Sequence, residues 1–227
     1  MKQIQLENIS KQYGQGRTAV KAVQGITSEI RAGDFVSIMG ESGSGKSTLL
    51  SLIGGLNTPT SGKYWVDDLD VYALGHDQRA DFRRKSLGFV FQSFQLVPYL
   101  SVLENVMLPL TIKKISRKKK QEMAGQALTQ VGLEQKKDRL PNQISGGEQE
   151  RVAIARAVVN DPPIILADEP TGNLDSRNSQ EMMHLLQQLN SRGKTIIMVT
   201  HSAEWSRYAH RILWISDGHL IKEERIQ

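Results

Sequence analysis

An α/β fold with a largely parallel sheet is what the sequence predicts, on three observations. Four short, almost wholly apolar runs recur along the chain: Phe35-Val36-Ser37-Ile38-Met39, Leu87-Gly88-Phe89-Val90-Phe91, Ile164-Ile165-Leu166-Ala167 and Thr195-Ile196-Ile197-Met198-Val199. Continuous apolar runs of this length mark strands buried on both faces, as in sheets covered by helices on either side. The first run is followed at once by Gly40-Glu41-Ser42-Gly43-Ser44-Gly45-Lys46-Ser47 and then, without a breaker, by Thr48 to Ile53. Strand, glycine-rich loop and helix in that order form the P-loop phosphate cradle. The other runs end in polar residues, Gln92, Asp168-Glu169 and His201. Open α/β sheets gather their ligands at the carboxyl ends of such strands.

Composition sets the outer bounds. With 227 residues the chain suits one compact domain that could carry a smaller lobe. It has no cysteine, which excludes a disulfide framework or a thiolate metal site. The net charge of +5 and the pI near 9.4 favour anionic partners without choosing among nucleotide, nucleic acid and membrane surface. No apolar run approaches the length that spans a bilayer, and Met1 to Glu7 lack the apolar core of a signal peptide, so a soluble, cytoplasmic chain is expected.

In chain order, Lys2 to Ile9 and Ala19 to Ile30 read as strands joined by a turn at Tyr13-Gly14-Gln15-Gly16. Tyr13 is by position either a half-buried strand aromatic or a platform for a purine. In the cradle, Gly40, Gly43 and Gly45 let consecutive N–H groups turn inward on a phosphate. Lys46 reaches the β- and γ-phosphates, and the Ser47 hydroxyl ligates Mg²⁺. Gly54-Gly55 and Thr58 to Gly62 punctuate the chain before a strand near Lys63 to Val66. Asp67, Asp68 and Asp70 lack the spacing of a calcium loop and read as turn carboxylates. Gln92, ending the second buried strand, is placed to orient water or touch Mg²⁺, although a lone glutamine is more often structural.

From Ser93 to about Asn160 the periodicity turns helical, with stretches at Val102 to Leu110 and Gln121 to Val131. Lys113-Lys114 and Arg117 to Lys120 form a basic run, ordinarily a solvated helix face, which could also lie near anionic lipid. Ser145-Gly146-Gly147-Glu148 opens another helix, with Ser145 as N-cap and Glu148 at the capping-box spacing. Its two glycines leave N–H groups bare at a positive helix end, which suits a phosphate. That is a second anion site, surplus to one P-loop and useful if it completes the site of another chain. Asp168 then fits a Mg²⁺ ligand, and Glu169 a general base on water. Asn173-Leu174-Asp175 precedes a helix from Ser176 to Leu189, and His201 can hydrogen-bond a γ-phosphate or the attacking water. Arg211 to Ile215 and Leu220 to Lys222 flank Asp217-Gly218 as a hairpin.

Taken together, these motifs resemble the nucleotide-binding subunit of ABC transporters over essentially the whole chain. The resemblance implies Tyr13 as the adenine-stacking aromatic, Gly40 to Ser47 as Walker A, Gln92 as the Q-loop, Ser145 to Gln149 as the signature, Ile164 to Glu169 as Walker B, Asn173 to Asp175 as the D-loop and His201 as the switch histidine. It assigns ATP contacts to Tyr13, Gly40, Ser42, Gly43, Ser44, Gly45, Lys46, Ser47 and Thr48, with Ser145, Gly146, Gly147 and Asp175 serving a second copy's nucleotide. Ser47, Gln92 and Asp168 become Mg²⁺ ligands, and Glu169, His201 and Gln92 the catalytic set. The implied fold is a P-loop core with an N-terminal antiparallel β subdomain, 1–92 with 161–227, and a helical insertion at about 93–160 carrying the signature.

Further resemblance, in Ile53 to Gly62, Gly88 to Pro98 and Leu166 to Asp175, points to the lipoprotein-releasing and macrolide-export branch, near the cell-division ABC ATPase. It implies a head-to-tail homodimer with two sandwiched ATP molecules, acting on separate membrane permease subunits touched by Phe94 to Leu100 at the cytoplasmic membrane face. The family's pattern is departed from at Ile144 (usually Leu), Glu148 (usually Gln) and Ser202 (often Asp). The alternative is a soluble ABC ATPase acting on nucleic acid or ribosomes. Such proteins usually carry coiled coils, zinc sites or a second cassette, features that this sequence lacks, and no nucleic-acid partner is expected. A GTPase is disfavoured by the lack of an Asn-Lys-x-Asp motif.

Overall fold

The computed structural model describes residues 3–226, the side chain of Arg17 excepted. Met1 and Lys2, within the stretch expected to lack a signal peptide and to begin the first strand, lie outside the described residues. The order of elements is β1 (Gln3–Tyr13), β2 (Val20–Arg31), β3 (Phe35–Met39), α1 (Lys46–Ile53), β4 (Ser61–Val66), β5 (Leu69–Asp70), α2 (His76–Ser86), β6 (Leu87–Phe91), α3 (Val102–Met107), α4 (Arg117–Gln130), α5 (Gly146–Val158), β7 (Ile164–Asp168), α6 (Ser176–Ser191), β8 (Thr195–Val199), α7 (Ala203–Ser206), β9 (Arg211–Ser216) and β10 (His219–Arg225).

Two sheets organise them. One is antiparallel, β2-β1-β4-β5, and the other runs β10-β9-β3-β8-β7-β6, parallel except for the β9–β10 hairpin. The four apolar runs are four of the five parallel strands, β3, β8 and β7 inside the sheet and β6 at its edge, and their residues alternate between two cores. Val36, Ile38, Ile164, Leu166, Ile197 and Val199 face a core shared with α1 and the antiparallel sheet. Phe35, Ile165, Ala167, Ile196 and Met198 face the core built with α3 to α6. Burial on both faces is why these strands are apolar throughout and lack the polar alternation of a half-exposed sheet.

Sheet edge β6 is clamped to the helical side by α5. A Cβ on Gly88 would collide with the Ala157 carbonyl oxygen of α5, so only glycine permits this approach. Gly88→Ala should therefore force the helix off the strand at a cost of about 1–3 kcal/mol, read as a lowered urea midpoint with an unchanged slope.

Where the structure departs from expectation, local chemistry explains it. The helix expected over Val102 to Leu110 is α-helical only to Met107 and continues as a 3-10 turn from Leu108 to Leu110. Pro109 has no N–H to donate back to Asn105, which ends the regular ladder. The next helix begins at Arg117, four residues before Gln121, because Ser116 Oγ accepts a hydrogen bond from the Lys119 N–H at 3.2 Å and caps it there. Arg117 to Lys120 of the basic run are thus this helix's own first turn, and Lys113 and Lys114 precede it. Asp67 and Asp70 serve local structure: Asp67 accepts from the Gln3 N–H, and Asp70 Oδ1 accepts from the N–H groups of Tyr72 and Ala73. Helix α2 has no counterpart in the expected elements. Phe82 is its only buried residue, so its sequence shows almost no apolar stripe.

Candidate nucleotide site

The loop between β3 and α1 is shaped by two different demands on glycine. At Gly45, φ is 103° and a Cβ would strike the Ala22 carbonyl oxygen, so packing against β2 demands glycine. A Cβ at Gly40 would likewise strike the Ile215 carbonyl. Gly43 is different: φ is 79° and nothing lies within 4 Å of where a Cβ would be. Here the demand is conformational, and the open space beside the backbone is what an anion needs. Ser42 is exposed on this turn, while the Ser44 hydroxyl is buried without a hydrogen-bond partner. Lys46 is buried and donates from Nζ to the Glu41 carbonyl at 2.6 Å, folded along the loop it belongs to. Thr48 follows within α1, its carbonyl accepting from the Ser51 hydroxyl.

Sheet register brings the distant polar residues to this loop. Asp168 pairs with Phe91 on one side and Val199 on the other, so the ends of β6, β7 and β8 are level. The Ser47 hydroxyl donates to Asp168 Oδ1 at 3.0 Å across 121 residues of sequence. Burial holds the Asp168 carboxyl above the ordinary aspartate range; the Ser47 hydrogen bond opposes that shift, and the neighbouring Glu169 charge adds to it. Glu169 adopts a left-handed backbone at φ 49°, with its N–H donating to the Val199 carbonyl at 2.9 Å. Its carboxylate Oε2 lies 2.9 Å from His201 Nδ1. Gln92 sits at the end of β6 as expected, but its amide nitrogen lies against Gly172, and it makes no hydrogen bond to Ser47 or Asp168. Its carbonyl accepts from Asn173 Nδ2 at 2.7 Å, tying it to the segment before Asp175.

The Ser47 hydroxyl and the Asp168 carboxylate, converging beside the glycine-rich loop, are the hard oxygen donors that suit a magnesium ion. Tyr13 ends β1 with 41% of its surface exposed, Lys11 Nζ lying 5.0 Å from its ring centroid and its hydroxyl accepting from Asn57 Nδ2 at 2.6 Å. This partly exposed strand-end aromatic, with a cation over its ring, fits either of the two roles expected of it.

The helix start expected to serve as a second anion site lies on other elements. Helix α1 packs on β2, β7 and β8, whereas α5 packs on β6, α3, α4 and α6. Ser145 caps α5: its Oγ accepts from the Glu148 N–H at 3.3 Å, and Glu148 Oε2 accepts from the Ser145 N–H at 2.8 Å. This reciprocal pair explains Glu148, whose carboxyl is held below its usual range by the Ser145 N–H. The Ser145 hydroxyl proton stays available to an anion. Gly146 opens onto empty space, whereas a Cβ on Gly147 would collide with the Asn178 side chain of α6. Asp175 caps α6, accepting from Asn178 N at 2.8 Å and from Asn178 Nδ2 at 2.7 Å. Those bonds keep its carboxyl below the ordinary aspartate range. Ser202 is likewise a cap, of α7, its Oγ accepting from the Trp205 N–H at 3.4 Å.

Two residues important to this region escaped the sequence. Arg156 donates to the carbonyls of Phe94 and Gln95, both at 2.6 Å, and so secures two non-glycine residues in left-handed conformations, φ 58° and 49°. Glu150, 1% exposed on α5, has neither carboxyl oxygen hydrogen-bonded, and burial pushes its carboxyl up to about 8 against the opposing charge of Arg156. An acid neutral when folded and ionised when unfolded stabilises fully below its unfolded value of 4.5, and that stability is lost as the pH rises toward 8. Glu150→Gln should match the parent near pH 4.5 and then gain on it by roughly 1 kcal/mol per pH unit up to about pH 8, as read from urea midpoints across that range.

A glycine-rich cradle on a parallel sheet, with a hydroxyl–carboxylate pair and a carboxylate–histidine pair at its rim, defines a P-loop nucleoside triphosphatase. The ABC transporter family model matches residues 23–172. Over 220 residues the chain is 46% identical to an uncharacterized ABC transporter ATP-binding protein, YvrO, of Bacillus subtilis, covering 97% of this chain and 96% of that protein. It is 48% identical to the macrolide export ATP-binding/permease protein MacB of Syntrophobacter fumaroxidans over 95% of this chain, while spanning 30% of that longer protein. Among solved structures it superposes with a TM-score of 0.91, at 43% identity and covering 99% of both chains, on a dimeric post-hydrolysis state of the ATP-binding cassette MJ0796, bound to ADP and Pi, a protein of Methanocaldococcus jannaschii. The chain belongs to the ABC transporter family, as an ATP-binding and ATP-hydrolysing subunit.

Proposed function

We propose that two copies of this chain close head to tail on two ATP molecules, each held between the cradle of one copy and the signature helix of the other. Closure and hydrolysis then drive a membrane permease. The observation that carries this is the separation of two anion-binding helix starts, at Lys46 and at Ser145, onto elements that pack on different parts of one chain. On binding, Lys46 exchanges the Glu41 carbonyl for phosphate oxygens, and Tyr13 stacks on the base. Ser47 and Asp168 hold Mg²⁺, with Gln92 at the level of both; the ion, when bound, neutralises charge on the phosphates. Glu169 accepts the proton of the attacking water, and His201 fixes the orientation of its carboxylate. The residues from about 93 to 160 act as a helical lobe, a division supported by the mutual packing of α3, α4 and α5.

No helix among the described residues is long and apolar enough to cross a membrane, so the translocation path is assigned to another polypeptide segment. A groove of about 490 Å³ between β6, α2 and α5, lined by Leu87, Phe89, Leu108 and Ile112 and rimmed by Arg84 and Arg156, adjoins the segment that includes Phe94 to Leu100. We read it as the surface offered to the permease, with the subunit on the cytoplasmic face of the membrane, a reading supported by the transporter family. The test is a detergent pull-down joined to an ATPase assay. A multi-span membrane protein should co-purify, and phosphate release should cease on chelation of Mg²⁺. Nucleic acid retained through nuclease treatment, with no membrane protein, would favour the soluble alternative.

A further inference from the structure

The basic run between α3 and α4 takes no part in the nucleotide site. Its turn, residues 111–116, leads into the first turn of α4, and it exposes two isoleucines among its cations: Ile112 is 62% and Ile115 36% exposed. Lys114, Arg117 and Lys118 are exposed and Lys113 half-buried beside them. Lys119 is shared with Glu122, at 3.4 Å, and Lys120 is tied to the Thr111 carbonyl. No acidic residue occurs between Glu104 and Glu122. Arg117 has the charge of Glu104 nearby and Lys119 that of Glu122, which leaves Lys113, Lys114 and Lys118 without an ion pair among the described residues, interleaved with two exposed isoleucines.

We propose that this lip, residues 112–118, rests directly on the anionic phospholipid surface of the membrane. The pattern is the one such surfaces take: lysines and arginines for the headgroup charge, with aliphatic side chains beneath them for the acyl boundary. Nucleic acid is matched less well, because residues 111–122 contain no aromatic side chain on which a base could stack. Orientation gives independent support. Ile112 also lines the groove assigned to the permease, so lip and groove are continuous and face the same way. Only this orientation rests on the proposed function; binding of lipid by the lip does not.

The experiment is flotation of the full chain with vesicles of phosphatidylcholine alone or mixed with phosphatidylglycerol, over a salt series. Binding should require phosphatidylglycerol and weaken with salt. Each cation near such a surface contributes about a fivefold factor, so Lys114→Gln with Lys118→Gln should reduce the partition coefficient about 25-fold. Ile115→Ser should reduce what binding survives at high salt. ATP hydrolysis in solution should be unchanged in all three substitutions, which also reports that they fold. The proposal is overturned if the parent fails to float with phosphatidylglycerol vesicles, or if the double variant floats as well as the parent. It is equally overturned if the same lysines prove to hold a nuclease-sensitive nucleic acid instead. Loss of the ATPase reading with flotation intact would sink the proposed function and leave the lip standing.

Discussion

Glu169→Gln should bind ATP as tightly as the parent while turning it over about 10²–10⁴-fold more slowly, the range expected for removal of a general base. The substitution is isosteric, so the amide can keep the contact that the carboxylate makes with His201 Nδ1 at 2.9 Å. The backbone at this position is fixed by the Glu169 N–H to Val199 carbonyl bond, which a side-chain change does not touch. What disappears is an acceptor for the proton of the attacking water. With hydrolysis blocked and binding intact, the ATP-closed pair should accumulate, seen as a dimer by sedimentation at saturating ATP. A variant that stays monomeric there would rule out the sandwich. One that retains more than about a tenth of the parent rate would take Glu169 out of the role of base.

Ser145→Arg should lower turnover by about 10²–10³-fold, the effect of losing one pre-aimed donor to developing charge, with little change in ATP binding by the monomer. The asymmetry follows from where the residue lies. Ser145 heads α5, which packs in the core on one face of the parallel sheet, whereas α1 packs in the core on the other. The new guanidinium would project over Gly146, the one signature glycine with open space beside it. Loss of the cap also costs about 0.5–2 kcal/mol of stability, so the melting transition must be followed alongside. Ser145→Thr, which keeps both cap and hydroxyl, should recover most of the rate. Equal losses in binding and turnover would make the cradle a self-sufficient site.

The sheet was legible because four of its parallel strands are short apolar runs that lead into a polar residue, a pattern that Leu87 to Gln92 and Ile164 to Glu169 display without help from tertiary structure. The cradle, the Asp168–Ser47 pair and the cap at Ser145 follow from motifs whose residues do locally what the spacing suggests. Contacts made across the fold were not legible. Helix α2 is held by Phe82 and by Arg83 donating to the Gly55 carbonyl, a bond with no local signature. Nothing in the sequence marks Glu150 as buried, since a glutamate in that run looks like any solvated helix residue. The glycines were treated alike, yet Gly43 and Gly146 face open space while Gly40, Gly45 and Gly147 fit against neighbouring residues. Only the packed structure separates those two reasons for the same residue.

The seating of Asn178 against Gly147 has a mechanical result. The start of α5 and the start of α6 form a clasp, closed on one side by Asp175 gripping Asn178 and on the other by the bare face of Gly147. A side chain at position 147 would therefore push the two helix starts apart. In the proposed pair, a load placed on Ser145 by the other copy's nucleotide would meet Asn178 through Gly147, and Asp175 is bonded to Asn178. If the pair closes as proposed, that shared contact would gear the two sites, and Asn178→Ala would uncouple them.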